Sequence, residues 1–412
     1  MSPAEFEALG ARALAMIENL AAISAEPDRL VRLFLTPEHR RAADRVAGFM
    51  RAAGMAVSED ALGTVRGRWG QEPRRLLIGS HIDSVIDAGR YDGPLGVVAG
   101  IIAVEHIARE GRPLPFGIDV LAFGDEEGSR FPATMASSSA CAGVFEHETL
   151  PLADAQGVTL EAALRAYGKD PALIPQAAYR PQEAAAYVEV HIEQGPILEA
   201  KGQPLGVVTG IVGQSRLRVT VTGEAGHAGT VPMAMRHDAF AGAAEMALAL
   251  ETIARGNPSD GLVGTVGRLE ALPGAVNIIP GCVVFTVDIR ALTDSVRTGA
   301  VERFLAESRR IAKARGLEVQ SETFHEIATA HCAEALQDML AACIGALGHD
   351  AIRLPSGAGH DAQVMARLCP SAMLFVRCRG GISHNPAEYA SVPDMGLAIA
   401  ALIGFIERFK DA

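Results

Sequence analysis

The chain reads as an α/β fold interrupted by an inserted α+β unit, which leaves the first domain discontinuous. Three observations predict this arrangement. Apolar strands alternate with helices up to residue 192, a β-α-β-β-α-β order occupies residues 215–324, and α/β character returns from about His331. The expected boundaries are 1–210 with 329–412 for a domain built on a mainly parallel central sheet, and 211–328 for a ferredoxin-like insert.

Ser2-Pro3, followed by Phe6, Leu9, Ala13, Ile17 and Leu20, predicts a capped amphipathic helix, and Thr36-Pro37 starts a second that Gly54 ends. Residues 75–82, 116–123 and 186–192 read as strands and 95–109 as a helix, the rhythm of a parallel sheet covered by helices. In the insert, 215–221, 262–269, 283–289 and 318–324 read as strands, with helices over 238–253 and 295–314. The returning part has a helix from His331 through Leu347, a Gly-rich loop from Ser356 to His360, a strand over 372–376 and a closing helix from Pro393.

A chain of 412 residues exceeds the usual single-domain size, so two domains and a large core are expected. The net charge of −12, with no Lys/Arg-rich stretch, argues against a nucleic-acid partner. No apolar run approaches the roughly 18 residues of a spanning helix. The start, Met-Ser-Pro-Ala-Glu-Phe, carries no basic segment followed by an apolar run, so no secretory signal is expected. Six cysteines (Cys141, Cys282, Cys332, Cys343, Cys369 and Cys378) form no CxxC pair, which suits reduced thiols in a cytoplasmic enzyme.

Five residues, His81, Asp92, Glu127, His191 and His384, each stand at the end of a predicted strand or in an adjoining Gly-rich loop. Imidazole and carboxylate donors of this kind suit two divalent ions, with one carboxylate bridging them and positions left for water. His81 in GSHIDS ends an apolar run, and Asp83 is placed to accept a hydrogen bond from its ring. Asp92 lies in RYDGPLGV before a helix, where an acidic residue is also an ordinary cap. Its place on the adjoining loop favours a bridging ligand. Adjacent Glu126 and Glu127 are costly off a sheet end unless a cation lies near, so one is read as ligand and Glu126 as base. Singly, each histidine suits a structural role as well. Five candidates at equivalent edges of one sheet favour the metal reading. Neutral histidines leave two ions only partly offset, so an anionic substrate is expected despite the acidic surface.

In SGAGHDA, Gly357 and Gly359 let backbone N–H groups approach a bound carboxylate. His360 and Asp361 either support the metal ligands from behind or cap the following helix. His237 reads as a loop or interface histidine, with substrate contact as the alternative.

GSHIDS, GRYDGPLGV, FGDEEGSRF, HIEQGP, GEAGHAGTVPM, GAVNIIPG, SGAGHDA and GGISHNPAE stand in this order over almost the whole chain. In these motifs the chain resembles the M20-type metallopeptidase family of dinuclear aminoacylases, carboxypeptidases and dipeptidases. Its closer resemblance is to the branch of allantoate amidohydrolases and N-carbamoyl-L-amino-acid hydrolases. The resemblance implies one metal on His81, Asp92 and His191, and another on Asp92, Glu127 and His384. It also makes Glu126 the general base, Asp83 the partner of His81 and Gln194 a substrate contact. The insert becomes a lid and dimerisation module, with His227 reaching the partner subunit's site to stabilise the oxyanion. Asn277 and Arg290 then hold the substrate carboxylate. Allantoate is the expected substrate, from GHAGTVPM and VRCRGGISHNPAE, and an N-carbamoyl-L-amino acid is the alternative. A dipeptidase fits Gln194 and the GAGHDA loop less well. A metal-dead binding protein is the remaining class, although no ligand or base is missing from the motifs.

Overall fold

Runs that read as uninterrupted apolar sequence form strands covered on both faces. The computed structural model describes residues 2–111, 113–256 and 261–410. Two units separate in it: one runs to Thr209 and resumes at His331, and the other is Gly210–Ala330.

The first unit is built on a nine-stranded sheet. At its centre Gly117–Phe123, Arg75–His81, Ala184–Ile192 and Ser371–Val376 lie side by side in parallel, and every residue of these strands is buried. Antiparallel strands extend it: Val65–Trp69 pairs with Gly117–Phe123, Ala56–Glu59 with Val65–Trp69, and Leu205–Ile211 with Ser371–Val376. Helices Pro3–Ala21, Pro94–Glu110 and Val392–Arg408 pack on one another in the same core. The first and last of these cross at glycines. A Cβ on Gly10 would stand 1.9 Å from the Val392 carbonyl oxygen, and one on Gly396 1.9 Å from that of Phe6, so larger residues would force the helices apart.

In the second unit an antiparallel sheet has the order Glu318–Ile327, Gly213–Thr222, Cys282–Ala291, Val263–Leu272. With helices Ala239–Arg255 and Asp294–Arg315 this is the ferredoxin-like β-α-β-β-α-β arrangement. Burial alternates along Cys282–Ala291 because one face packs on the helices. Asp238 caps the first helix by accepting from the N–H groups of Phe240 and Ala241.

The sequence reading assigns no strand to Ala56–Glu59, Val65–Trp69, Leu205–Ile211 or Ile352–Ser356, and no helix to Ala136–Cys141 or Leu160–Ala166. These elements are short, and only their neighbours in the fold stabilise them. The six cysteines are free thiols. Among the described residues no helix is long and apolar enough to cross a membrane.

Candidate metal centre

Parallel strands in register end at one edge of the sheet, and the proposed ligands stand at or beyond those ends. His81 closes its strand opposite Phe123, and His191 lies opposite Phe375. Glu126 and Glu127 follow the first of these partners, and His384 follows the strand of the second. Ligands of open α/β sheets gather at such carboxyl ends. Asp92 arrives on the loop before helix Pro94–Glu110, where Gly93 has φ 81° and a Cβ would lie 2.5 Å from the His81 ring. Only glycine permits that approach. Three non-glycine residues around the site, Asp125, Gln194 and His384, also hold left-handed backbone, at φ 66°, 55° and 53°. Such conformations cost free energy and gather at functional sites.

The Asp92 carboxylate separates two groups of donors. Its Oδ1 stands 3.1 Å from His191 Nε2 and 3.5 Å from His81 Nε2, while Oδ2 is 3.3 Å from His384 Nε2. Glu127 Oε2 lies 3.4 Å from that same His384 nitrogen. Donor atoms of His81, Asp92 and His191, and those of Asp92, Glu127 and His384, each fall within 4.8 Å of one another. His81, Glu126 and Glu127 form a third such group.

Hydrogen bonds at the far side of the rings select the tautomers. His191 Nδ1 is 2.9 Å from the Ile192 carbonyl and His81 Nδ1 is 3.2 Å from that of Asp83, so these nitrogens carry the protons. The opposite Nε2 atoms are buried and make no hydrogen bond, since with the proton on Nδ1 each turns a lone pair toward the Asp92 carboxylate. Two unpaired imidazole lone pairs beside carboxylates fit a divalent cation. The Asp83 carboxylate takes a second task. It accepts the N–H groups of Glu126 and Glu127 at 3.3 Å each, while its Oδ1 is 3.4 Å from His81 Nδ1. The ring is therefore held more closely by the Asp83 backbone than by its side chain.

Burial pushes the Glu126 carboxyl well above the ordinary range, opposed by His81 and reinforced by Glu127. Glu127 is lifted to about 7, by burial first and by the charge of Asp92 next. Burial acts on Asp92 too, but His191, His384 and His81 outweigh it and hold the carboxyl well below its usual value. A hydrogen bond to Asp92 is the main cause that lifts His384 to about 9. A cation would relieve the repulsion among these carboxylates.

Residues 77–408 match peptidase family M20/M25/M40. The chain belongs to that family. N-carbamoyl-L-amino acid amidohydrolase of Geobacillus stearothermophilus is 41% identical over 397 residues, covering 95% of this chain and 97% of that protein. Allantoate deiminase of Arabidopsis thaliana is 40% identical over 430 residues, covering 96% and 81%. The crystal structure of AtUAH in complex with glyoxylate superposes with a TM-score of 0.84 at 31% identity, over 97% of this chain and 98% of that one. Fold and family together make this M20 protein a hydrolase acting on carbon–nitrogen bonds.

In the M20 site Gln194 lies on the central carboxylate. Its Nε2 donates to Asp92 Oδ2 at 2.7 Å and to Ser383 Oγ at 3.2 Å, and its Oε1 is buried and unpaired. His360 packs its ring 4.4 Å from that of His191 and places Nε2 2.8 Å from Ser356 Oγ. It therefore lies behind the proposed ligand His191, and its side chain makes no cap hydrogen bond to the following helix. Asp361 is fully buried at the start of that helix, and burial followed by the charge of Glu189 raises its carboxyl. Gly357 has open space at its Cβ position, while a Cβ on Gly359 would meet Met135 at 3.0 Å.

The other expected M20 site residues belong to the second unit. His227 is exposed, and its Nδ1 accepts from the Gly229 N–H at 3.0 Å, which leaves the proton of the neutral ring on Nε2. Asn277 is exposed, with its carbonyl accepting from Ala228 N–H at 2.9 Å. Arg290 grips Asp288 through Nε at 2.9 Å and Nη2 at 3.1 Å. His237, just before helix Ala239–Arg255, meets the Arg315 carbonyl at the end of helix Asp294–Arg315 at 3.2 Å.

Residues that the sequence reading passes over also reach the centre. Ser383 Oγ lies 2.9 Å from Asp92 Oδ2, and Asp125 buries a carboxylate whose oxygens lack partners. Glu189 accepts from Ser80, Tyr187 and the Ala362 N–H behind His191. Ser383 and Asp125 each adjoin an expected site residue, His384 and Glu126, so proximity in the motif was an available signal.

Proposed function

We propose that this hydrolase cleaves the terminal ureido carbon–nitrogen bond of allantoate, yielding ureidoglycine, ammonia and carbon dioxide. The reading is carried by Asp92, whose two oxygens face separate His and carboxylate groups with Glu126 beside them. His81, His191 and Asp92 would hold one divalent ion, and Asp92, Glu127 and His384 another. Manganese is the first choice, and zinc or cobalt suits the same donors. When bound, such ions supply Lewis-acid charge that acidifies water and polarises a carbonyl.

Glu126 takes the proton of the attacking water and returns it to the leaving nitrogen, a task suited to a carboxyl whose proton affinity burial has raised. Ammonia departs, and the remaining carbamate decays to carbon dioxide and the amine. Gln194 Oε1 accepts a ureido N–H. Asn277, Arg290 and the backbone at Gly357 and Gly359 hold the carboxylate of this small anionic substrate. In a cytoplasmic homodimer the lid unit of one protomer presents His227 Nε2–H to the oxyanion formed in its partner.

N-carbamoyl-L-amino acids are the second reading, because a relative named for them matches as well as the allantoate deiminase does. Ammonia release by manganese-loaded protein distinguishes the two, measured on allantoate, a panel of N-carbamoyl-L-amino acids and a dipeptide, with a chelated control. Metal-dependent release from allantoate alone is expected. Preference for carbamoyl amino acids moves the protein to the second reading, and silence on every ureido compound overturns both.

A further inference from the structure

Glu388 stands only a few residues beyond His384, yet its side chain reaches back to the other half of the first unit. It is 4% exposed, and burying a carboxylate that deeply is unfavourable unless donors meet it. Three do. Its Oε1 accepts the backbone N–H of Tyr91 at 2.8 Å and of Asp92 at 3.1 Å, and its Oε2 accepts from Ser383 Oγ at 3.0 Å. The Ser383 hydroxyl also lies 2.9 Å from Asp92 Oδ2. The carboxylate thus touches both the main chain of the residue between the two histidine groups and the neighbour of the outer histidine.

The chain makes room for this contact at one position. A Cβ on Gly89 would stand 2.2 Å from the Glu388 carboxyl carbon and 2.3 Å from its Oε1, so the carboxylate occupies the space that any side chain there would fill. No left-handed backbone requires glycine at 89. The absence of a side chain serves packing against Glu388.

We propose that Glu388 is a positioning residue that ties the Asp92 loop to the His384 loop and so sets the spacing of the two donor groups. The inference rests on the metal reading of the site. With its backbone N–H held by Oε1, Asp92 keeps one oxygen toward His81 and His191 and the other toward His384. Through Ser383 the same tie reaches the residue that directly precedes His384, and His384 itself has left-handed backbone. Without the tie, the two loops move independently and the donors no longer converge.

The test is cobalt(II) titration of the full chain, followed by calorimetry and visible absorption, with circular dichroism melts showing that each variant folds. Glu388→Ala and Gly89→Ala, the second displacing the carboxylate without removing it, should each weaken cobalt binding by about 10- to 100-fold, the usual cost of losing a partner behind a ligand. Both should alter the cobalt absorption bands. Glu388→Gln keeps an oxygen for the two N–H groups and an amide donor for Ser383, and should restore affinity and spectrum close to wild type. A residue that only fills space would leave the bands unchanged. Ser383→Ala keeps the set informative if Glu388→Ala does not fold, since it removes one arm of the tie and should weaken binding in the same direction. Wild-type affinity and spectrum in the folded Gly89→Ala and Ser383→Ala variants would overturn the inference. Failure of the wild-type protein to bind cobalt would instead overturn the metal reading on which it rests.

Discussion

Oδ1 of Asp92 stands 3.1 Å from Nε2 of His191, and that nitrogen is buried without a hydrogen bond. A buried imidazole lone pair facing a carboxylate oxygen is unfavourable unless a cation comes between them. Much of what this protein is expected to do follows from that relationship.

Asp92→Asn keeps the shape of the side chain and removes its charge. Because each oxygen of Asp92 faces a different donor group, uptake at both proposed positions should fall together, by more than the roughly 100-fold typical of partners behind a ligand. Metal content after gel filtration, read by mass spectrometry, checks this. Loss confined to one ion would show that Asp92 does not bridge.

Glu126→Gln should keep the metal and lose turnover by about 10²- to 10⁴-fold, the range assigned to general acid–base catalysis. The paired measurement is metal content and ammonia release on one sample. Wild-type-like turnover in fully metallated mutant protein would remove Glu126 from the mechanism.

His227→Ala should lower kcat by about 10²- to 10³-fold, as expected for loss of an oxyanion donor, with KM little changed. If His227 acts on the partner's substrate, mixing inactive His227→Ala protein with inactive Glu126→Gln protein should recover part of the activity. Mixed dimers then contain one site with both groups intact. No recovery after subunit exchange would place His227 outside the partner's site.

His39 offers a pH test away from the candidate metal ligands. Burial depresses its imidazole from an ordinary 6.5 to about 4, even though Nδ1 meets the Tyr167 hydroxyl at 2.9 Å. Between those values the unfolded chain binds a proton that the folded chain does not, so stability falls as pH drops from 6.5 toward about 4. The loss is on the order of 3 kcal/mol across that window, at about 1.4 kcal/mol per pH unit. Urea midpoints measured against pH should fall less steeply for His39→Gln, and parallel curves would show that His39 is not a source of the acid sensitivity.

Apolar runs such as Leu76-Leu77-Ile78 announced buried strands, and GSHIDS, FGDEEGSRF and GGISHNPAE placed the candidate ligands beside their ends, because a parallel strand and the loop after it are local features. The β-α-β-β-α-β order of the insert was readable for the same reason. Short strands such as Ala56–Glu59 were not, since pairing with Val65–Trp69 is what makes them strands.

The roles of Asp83 and Gln194 show where local reading ends. Spacing pointed to the Asp83 carboxylate as the partner of His81, whose Nδ1 lies 3.4 Å from it, but not to the N–H groups of Glu126 and Glu127 that the same carboxylate accepts. Gln194 settles on Asp92, which is distant in sequence and adjacent only after folding. By itself, then, the sequence determined which residues are chemically equipped to hold metal and move protons, and the strands that carry them. Only the tertiary structure decided that Gln194 rests on Asp92, that His360 lies behind His191 and that Glu388 reaches the Asp92 loop. Those contacts join segments far apart in the chain, and no local propensity encodes them.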